Sequence, residues 1–242
     1  MVTHDRFHVA RNTPQTTLVD FEPTIDMGAL RRYRLSRVRE QLVEKDVAGI
    51  LLYDPINIRY ATGSRNMSVY TMHAAERYTF IATDGPVVLF DSYPVGTPDS
   101  VDERRPSQLW YYEVTGDGTY DACQAWSNEI AELVNKHGGG NKRLAVDRMA
   151  ALGYDALTKH GITIHDGGEI METARLIKSA EEIACMSVAV SACDVGMARM
   201  REALKPGITE NYLWSLLVQA NIELGGEWME TRLLSSGGRT KP

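Results

Sequence analysis

Apolar side chains at Ile183, Met186, Val190, Cys193, Met197, Met200 and Leu204 recur every three or four residues, which predicts one face of a long helix. Ser179 followed by Glu182 has the form of a capping box at its start, and Pro206-Gly207 stops it. The methionine-rich face is read as core packing, not as a ligand surface. Upstream, Met27 to Asp46 predicts a helix with Leu30, Tyr33, Val38, Leu42 and Val43 inward and its many arginines outward. Val47 to Tyr53 is a continuous apolar run of the kind a buried strand shows, and Asp54-Pro55 turns the chain after it. Tyr78 to Thr83 and Val87 to Phe90 are two strands joined by Asp84-Gly85. Leu109 to Val114 is a further strand candidate. Tyr120 to His137 predicts a helix with Cys123, Trp126, Ile130, Leu133 and Val134 on its apolar face, ended by Gly138-Gly139-Gly140. Leu144 to Val146, Ala150 to His160 and Ile162 to Ile164 read as strand, helix and strand. Thr209 caps a last helix running to about Leu224, Gly225-Gly226 stops it, and Thr231 to Ser236 reads as a strand.

This order gives an α/β chain. A mixed sheet with helices on its faces spans about 27–172, and a second unit begins on the long helix. Residues 1–26 are polar and without periodicity, so they read as an extended arm or as disorder. Two amphipathic helices and one strand after Glu172 leave apolar faces without a covering sheet. Self-association or partial disorder beyond that point is therefore expected.

Composition removes some functions. Hydrophobic content of 43% fits a packed core, and a net charge of −6 without a basic run argues against nucleic acid as a partner. No apolar run approaches the roughly 20 residues of a membrane span, and the N-terminal stretch lacks the apolar centre of a secretory signal. Neither a membrane nor a nucleic acid is expected as a partner. Cys185 and Cys193 sit eight residues apart on one helix, roughly 12 Å along its axis, too far to pair. With Cys123 they read as reduced thiols in a cytoplasmic protein.

Local motifs for chemistry are sparse. The six histidines form no HExxH, there is no CxxC, and neither a phosphate loop nor a GxSxG elbow is present. Gly138 to Lys142 follows a helix, so it reads as a helix end. His73 stands in a polar-aromatic stretch that favours a structural or solvated role. Glu227 to Arg232 places two acids, a tryptophan and an arginine beside a Gly-Gly. The rim of an active site and a solvated loop both look like this, and the residues alone leave both open.

Two stretches resemble the creatinase, aminopeptidase P and prolidase superfamily. The tract from Asp54 through Asn57, Arg59, Tyr60 and Thr62 to Gly63 is similar to that family's N-terminal-domain motif. The run Arg175-Leu176-Ile177-Lys178-Ser179-Ala180-Glu181-Glu182-Ile183 is similar to its crossing into the catalytic domain. The tracts Gly225 to Gly237 and Asn57 to His73 further resemble the dimethylsulfoniopropionate lyase branch, with proteins of the Xaa-Pro peptidase type close by.

The resemblance implies a creatinase-like domain over 27–172 and the incomplete start of a pita-bread α+β catalytic domain over 173–242. It implies a homodimeric parent acting on a small molecule or short peptide, with a pair of divalent ions (iron, manganese or zinc). In a peptidase those ions would activate water; in a lyase they would hold a carboxylate while a base takes the neighbouring proton. The family's metal ligands lie downstream of Ser236, so no metal, cofactor or catalytic residue is expected within this chain, which is expected to be inactive by itself. A non-catalytic binding or dimerisation module is the alternative. Arg59, Tyr60, His73, Trp228, Glu230 and Arg232 are the substrate-pocket candidates. Asn57 and Tyr60 lean towards pinning the first domain, and Arg59 and His73 could reach a partner subunit's pocket.

Overall fold

The computed structural model describes residues 25–66, 68–93, 96–227, 229 and 231–240. The extended arm expected over 1–26 lies almost wholly outside the described residues. Two compact units emerge, Gly28–Lys178 and a second built on the residues from Ser179.

The first unit opens with α1 (Met27–Glu44), followed by β1 (Gly49–Leu52), α2 (Pro55–Thr62) and α3 (Ser68–His73). Then come β2 (Tyr78–Ala82), β3 (Val87–Phe90), β4 (Glu103–Arg105), the single turn α4 (Tyr112–Thr115) and α5 (Thr119–His137). It closes with β5 (Arg143–Val146), α6 (Ala151–Lys159), β6 (Thr163–Asp166) and α7 (Gly168–Leu176). The strands make one six-stranded sheet in the order β4-β3-β2-β1-β5-β6. The pairs β1–β2 and β2–β3 are antiparallel, while β1–β5, β5–β6 and β3–β4 are parallel, so the sheet is mixed as the sequence predicts.

Apolar character is continuous along β1, β2 and β3 because both faces are covered. Leu51, Tyr78, Phe80, Phe90 and Leu144 point to the side packed with Cys123, Trp126, Ile130, Leu133 and Val134 of α5 and Ala156 and Leu157 of α6. Ile50, Leu52, Ile81, Leu89 and Ala145 point to the other, against Val38 and Leu42 of α1, Ile58 and Ala61 of α2, and Ile170, Met171 and Ala174 of α7. Each fully buried Leu, Ile or Val contributes roughly 1.5–3 kcal/mol relative to exposure. The β2–β3 turn at Asp84-Gly85 puts Gly85 at φ 150°, and a Cβ there would stand 3.2 Å from His137 Nδ1.

Several expectations are corrected. Val43, expected inward on α1, is exposed, and Gln41 is buried instead. The turn at Asp54-Pro55 forms as expected, and it leads into a helix for which no expectation was set: Pro55 occupies its first turn, and Asp54 Oδ1 accepts from the amides of Ile56 and Asn57. No strand forms over Leu109 to Val114. Trp110 is buried in the core and the chain coils into α4, so the apolarity of that run fills the core instead of a ladder. The sheet's edge is the charged segment Glu103–Arg105, paired to β3 through its backbone. An edge strand with exposed side chains carries no apolar signal. The last strand lies over Thr163–Asp166, starting one residue and ending two residues later than expected, and α7, which the pattern did not show, contains Glu172.

In the second unit, α8 (Ala180–Ala203) starts on a full capping box between Ser179 and Glu182. Thr209 caps α9 (Glu210–Glu223) by accepting from the Tyr212 amide. Gly196 of α8 lies against Leu217 and Ala220 of α9. Thr231 to Ser236 is not a strand; among the described residues it has no ladder partner, and a short 3-10 turn follows at Gly237–Thr240. The methionine-rich face of α8, expected in the core, is exposed at Ile183, Met186, Val190 and Met197. By length and composition α8 is apolar enough to cross a membrane, the one such helix among the described residues, so the expectation of no such run is also corrected.

Candidate functional site

The carboxyl ends of the parallel strands β1 and β5 lie side by side, where ligands gather in open α/β sheets. Asp147, one residue past β5, joins the two ends. Its Oδ1 accepts from the amides of Tyr53 at 2.8 Å and Arg148 at 2.7 Å, and its Oδ2 from Asp54 N at 3.0 Å and Asn57 Nδ2 at 3.1 Å. Burial pushes the Asp147 carboxyl above its ordinary value, against the lowering effect of those four donors. Asn57 Oδ1 in turn accepts from Arg175 of α7 at 3.3 Å, and the buried Tyr60 hydroxyl donates to the Ala174 carbonyl at 2.9 Å. The motif on α2 thus fastens α7 to the end of the sheet.

A pocket of about 510 Å³ opens beside this joint. Tyr53, Trp110, Tyr111, Met72, Ala75, Met149 and Leu152 wall it, with His73, Glu113 and Arg148 also lining it. Its floor is buried, with Tyr53 3% and Trp110 4% exposed, whereas His73, Glu113, Arg148 and Ala150 are exposed at its mouth. Tyr111 is held by its hydroxyl on Glu76 Oε1 at 2.6 Å, and Tyr93 reaches the other oxygen at 2.9 Å. Next to Glu76, the buried Arg77 pairs with Asp91 at 2.6 Å and also donates to Ser64, which ties the segment after α2 to the end of β3.

The Tyr53 hydroxyl and the indole nitrogens of Trp110 and Trp126 are buried and have no hydrogen-bond partner of normal geometry. Burial raises the Tyr53 hydroxyl well above the ordinary phenol value, and the two nearby indole N–H groups oppose that rise. The rings form one aromatic body, with Trp110 and Trp126 4.8 Å apart and Tyr53 and Tyr78 5.1 Å apart.

Of the sequence candidates, His73 lies at this pocket's mouth. Tyr60 is buried behind it in the sheet-to-α7 joint, and Arg59 sits half-buried on α2. Arg232 is exposed in the second unit, and Trp228 and Glu230 lie outside the described residues. The sequence reading did not single out Tyr53, Trp110, Tyr111, Arg148 or Met149. The aromatic run Trp110-Tyr111-Tyr112 was the available signal, and the strand expected there concealed it. Among the described residues, no three or more His, Cys, Asp and Glu side chains gather closely enough to hold a metal ion. The residues described therefore do not fit a two-metal centre.

The family model for the creatinase/prolidase N-terminal domain matches residues 34–177. Two dimethylsulfoniopropionate lyases align over 227 residues, 90% of this chain. The one from Roseovarius nubinhibens is 40% identical and the one from Roseobacter denitrificans 38%. The chain spans about half the length of these curated relatives, 51% of each. Among solved structures, an Xaa-Pro dipeptidase from Bacillus anthracis has a TM-score of 0.56 at 16% identity, covering 78% of this chain and 48% of its own. A prolidase from Thermococcus sibiricus gives 0.56 at 16%, covering 79% and 49%. These likenesses show the fold.

Proposed function

We propose, from the premise that this chain belongs to the creatinase/prolidase N-terminal domain family over Arg34 to Ile177, that it is part of an enzyme cleaving dimethylsulfoniopropionate. The observation that carries this reading is the 40% identity along 90% of the chain to a lyase of that substrate, against 16% for the two peptidases of the same fold named above. In such a cleavage a base removes the proton next to the carboxylate. The carbon–sulfur bond breaks, its electron pair leaves with dimethyl sulfide, and the carbons remain as acrylate.

On this reading the first unit is a positioning domain, and the groups that bind divalent ions lie outside the described residues. A homodimer in the cytoplasm is part of the same proposal. The compartment is supported by Cys185 and Cys193, which stand eight residues apart on one helix and cannot pair with each other. A location in water, not in a bilayer, is supported by Asp194 in the middle of α8 and by the packing of Gly196 on α9.

The test uses the product of the complete reading frame that contains this chain. It is supplied with dimethylsulfoniopropionate and, separately, with an Xaa-Pro dipeptide. Release of dimethyl sulfide with stoichiometric acrylate and without dipeptide hydrolysis is the expected result. Dipeptide hydrolysis without dimethyl sulfide would establish the peptidase reading instead. Neither activity would leave the binding or dimerisation module.

A further inference from the structure

We propose that the pocket between β1, α3, α4 and α6 binds a free amino acid with a large, flat apolar side chain. The side chain enters the cavity, and the α-ammonium and α-carboxylate stay at its mouth. Such binding is additional to the proposed cleavage and does not depend on it. The volume of about 510 Å³ lies inside the roughly 300–1,000 Å³ range of ligand sites. The thioethers of Met72 and Met149, the side chain of Leu152 and the ring of Tyr111 line it. Flat rings pack against an aromatic wall, and methionine sulfur fits a ring edge. Tyr53 and Trp110 below them are almost wholly buried. Their polar atoms are turned into the protein, where the indole N–H groups of Trp110 and Trp126 bear on the Tyr53 oxygen. These two floor residues therefore offer an occupant ring carbon, which selects an apolar body.

The mouth carries the charges. Arg148 and Glu113 both line the pocket, and both are exposed, so a ligand can reach them from water. Arg148 Nη2 donates to the Thr71 carbonyl at 3.5 Å, a neutral partner that leaves the guanidinium charge unbalanced. Among the described residues neither Arg148 nor Glu113 forms an ion pair. A purely anionic ligand would gain from Arg148 and be opposed by Glu113, and a purely cationic one would meet the reverse. A zwitterionic head answers both, with its carboxylate on Arg148 and its ammonium on Glu113. An α-amino acid carries both charges on one carbon, next to the side chain that fills the cavity.

The experiment titrates the 242-residue chain by calorimetry with L-phenylalanine and three analogues. 3-Phenylpropanoate lacks the ammonium, phenethylamine lacks the carboxylate, and L-alanine lacks the ring. None is a substrate of the proposed cleavage, so that activity does not enter the titration. Phenylalanine is expected to bind saturably. Each analogue missing a charge is expected to bind about fivefold more weakly, the scale of one exposed charge pair. Alanine is expected to bind about tenfold more weakly or worse, having lost the buried ring. Arg148→Gln is expected to weaken phenylalanine and phenylpropanoate by about fivefold and to leave phenethylamine no weaker. Glu113→Gln is expected to weaken phenylalanine and phenethylamine and to leave phenylpropanoate no weaker. Both positions are exposed, so both variants are expected to melt as the native chain does. If one does not, the other variant and the analogues on the native chain carry the test. No saturation with phenylalanine, or alanine bound as tightly, overturns the proposal. So does equal affinity for phenylalanine and its two aromatic analogues, or a glutamine variant that weakens all three alike.

Discussion

Asp147 shows how much of this fold rests on one carboxylate. Four donors from three segments converge on it, and they hold β1, α2 and the chain beyond β5 in one arrangement. Asp147→Asn turns an amide NH2 towards donors, so a cost of about 1–3 kcal/mol is expected in urea unfolding. The pH dependence has a definite sign. Because the folded carboxyl holds its proton more tightly than the unfolded one, its contribution is fully present below the ordinary carboxylate value. It declines as pH rises through the raised folded value. The stability gap between the native protein and Asp147→Asn is therefore expected to narrow from pH 4 to pH 7, and a gap that widens would contradict the assignment. The Arg77–Asp91 pair behaves differently, since both side chains are almost wholly buried. Asp91→Ala leaves the guanidinium without its counter-charge, and a loss of about 3–5 kcal/mol is expected in the same assay.

At the scale of elements, α8 and α9 depend on close approach at Gly196, where an added Cβ would stand 2.5 Å from Leu217 Cδ1. Gly196→Ala is expected to be tolerated, because the end of a flexible leucine can move aside. Gly196→Leu forces the helices apart and is expected to cost about 1–3 kcal/mol by thermal melting. Arg199 and Glu223 clasp the same pair at 2.6 Å. The hydrogen bond from Arg199 holds the Glu223 carboxyl below its ordinary value, so this support is present at neutral pH and is lost as pH falls through the lowered value. Being part-exposed, it is expected to contribute about 0.5–1 kcal/mol, and Arg199→Ala should remove that acid-sensitive step from the melting curve.

These elements also show what the sequence could reveal. The capping box at Ser179, the hairpin at Asp84-Gly85 and the apolar strands were legible because each is a local pattern with a local cause. The edge strand Glu103–Arg105 was not, because its partner is supplied by β3 and its side chains are charged. The pocket was illegible for a similar reason. Tyr53, Trp110 and Met149 are far apart along the chain, and only the sheet brings them together. Asn57 and Tyr60 were legible as a motif, but their shared task of anchoring α7 required Asp147, Ala174 and Arg175 to be placed first.

On the scale of the whole molecule, the second unit differs from the first in how it treats apolar surface. The sheet unit buries its central strands β1, β2 and β3 on both faces, whereas α8 presents a stripe with Ile183 56%, Met186 52%, Val190 58% and Met197 52% exposed. Their spacing of three, four and seven residues keeps them on one side of the helix, a continuous patch that water does not favour. The lyases it matches run to about twice the aligned length, which leaves room for a covering layer in proteins of that size. In the 242-residue chain the stripe is expected to recruit a second copy or a hydrophobic dye. Size-exclusion chromatography should then give a species larger than 27.0 kDa that falls apart on dilution, with strong dye fluorescence. Replacing Met186, Val190 and Met197 with lysine changes only exposed positions. It should yield a monomer with undiminished helical content and little dye binding, because charges on that face cannot be brought together without losing their water. A native chain that elutes as a dye-silent monomer would mean the stripe is covered by residues of this same chain, and the lysine variant would then lose helix instead of gaining solubility.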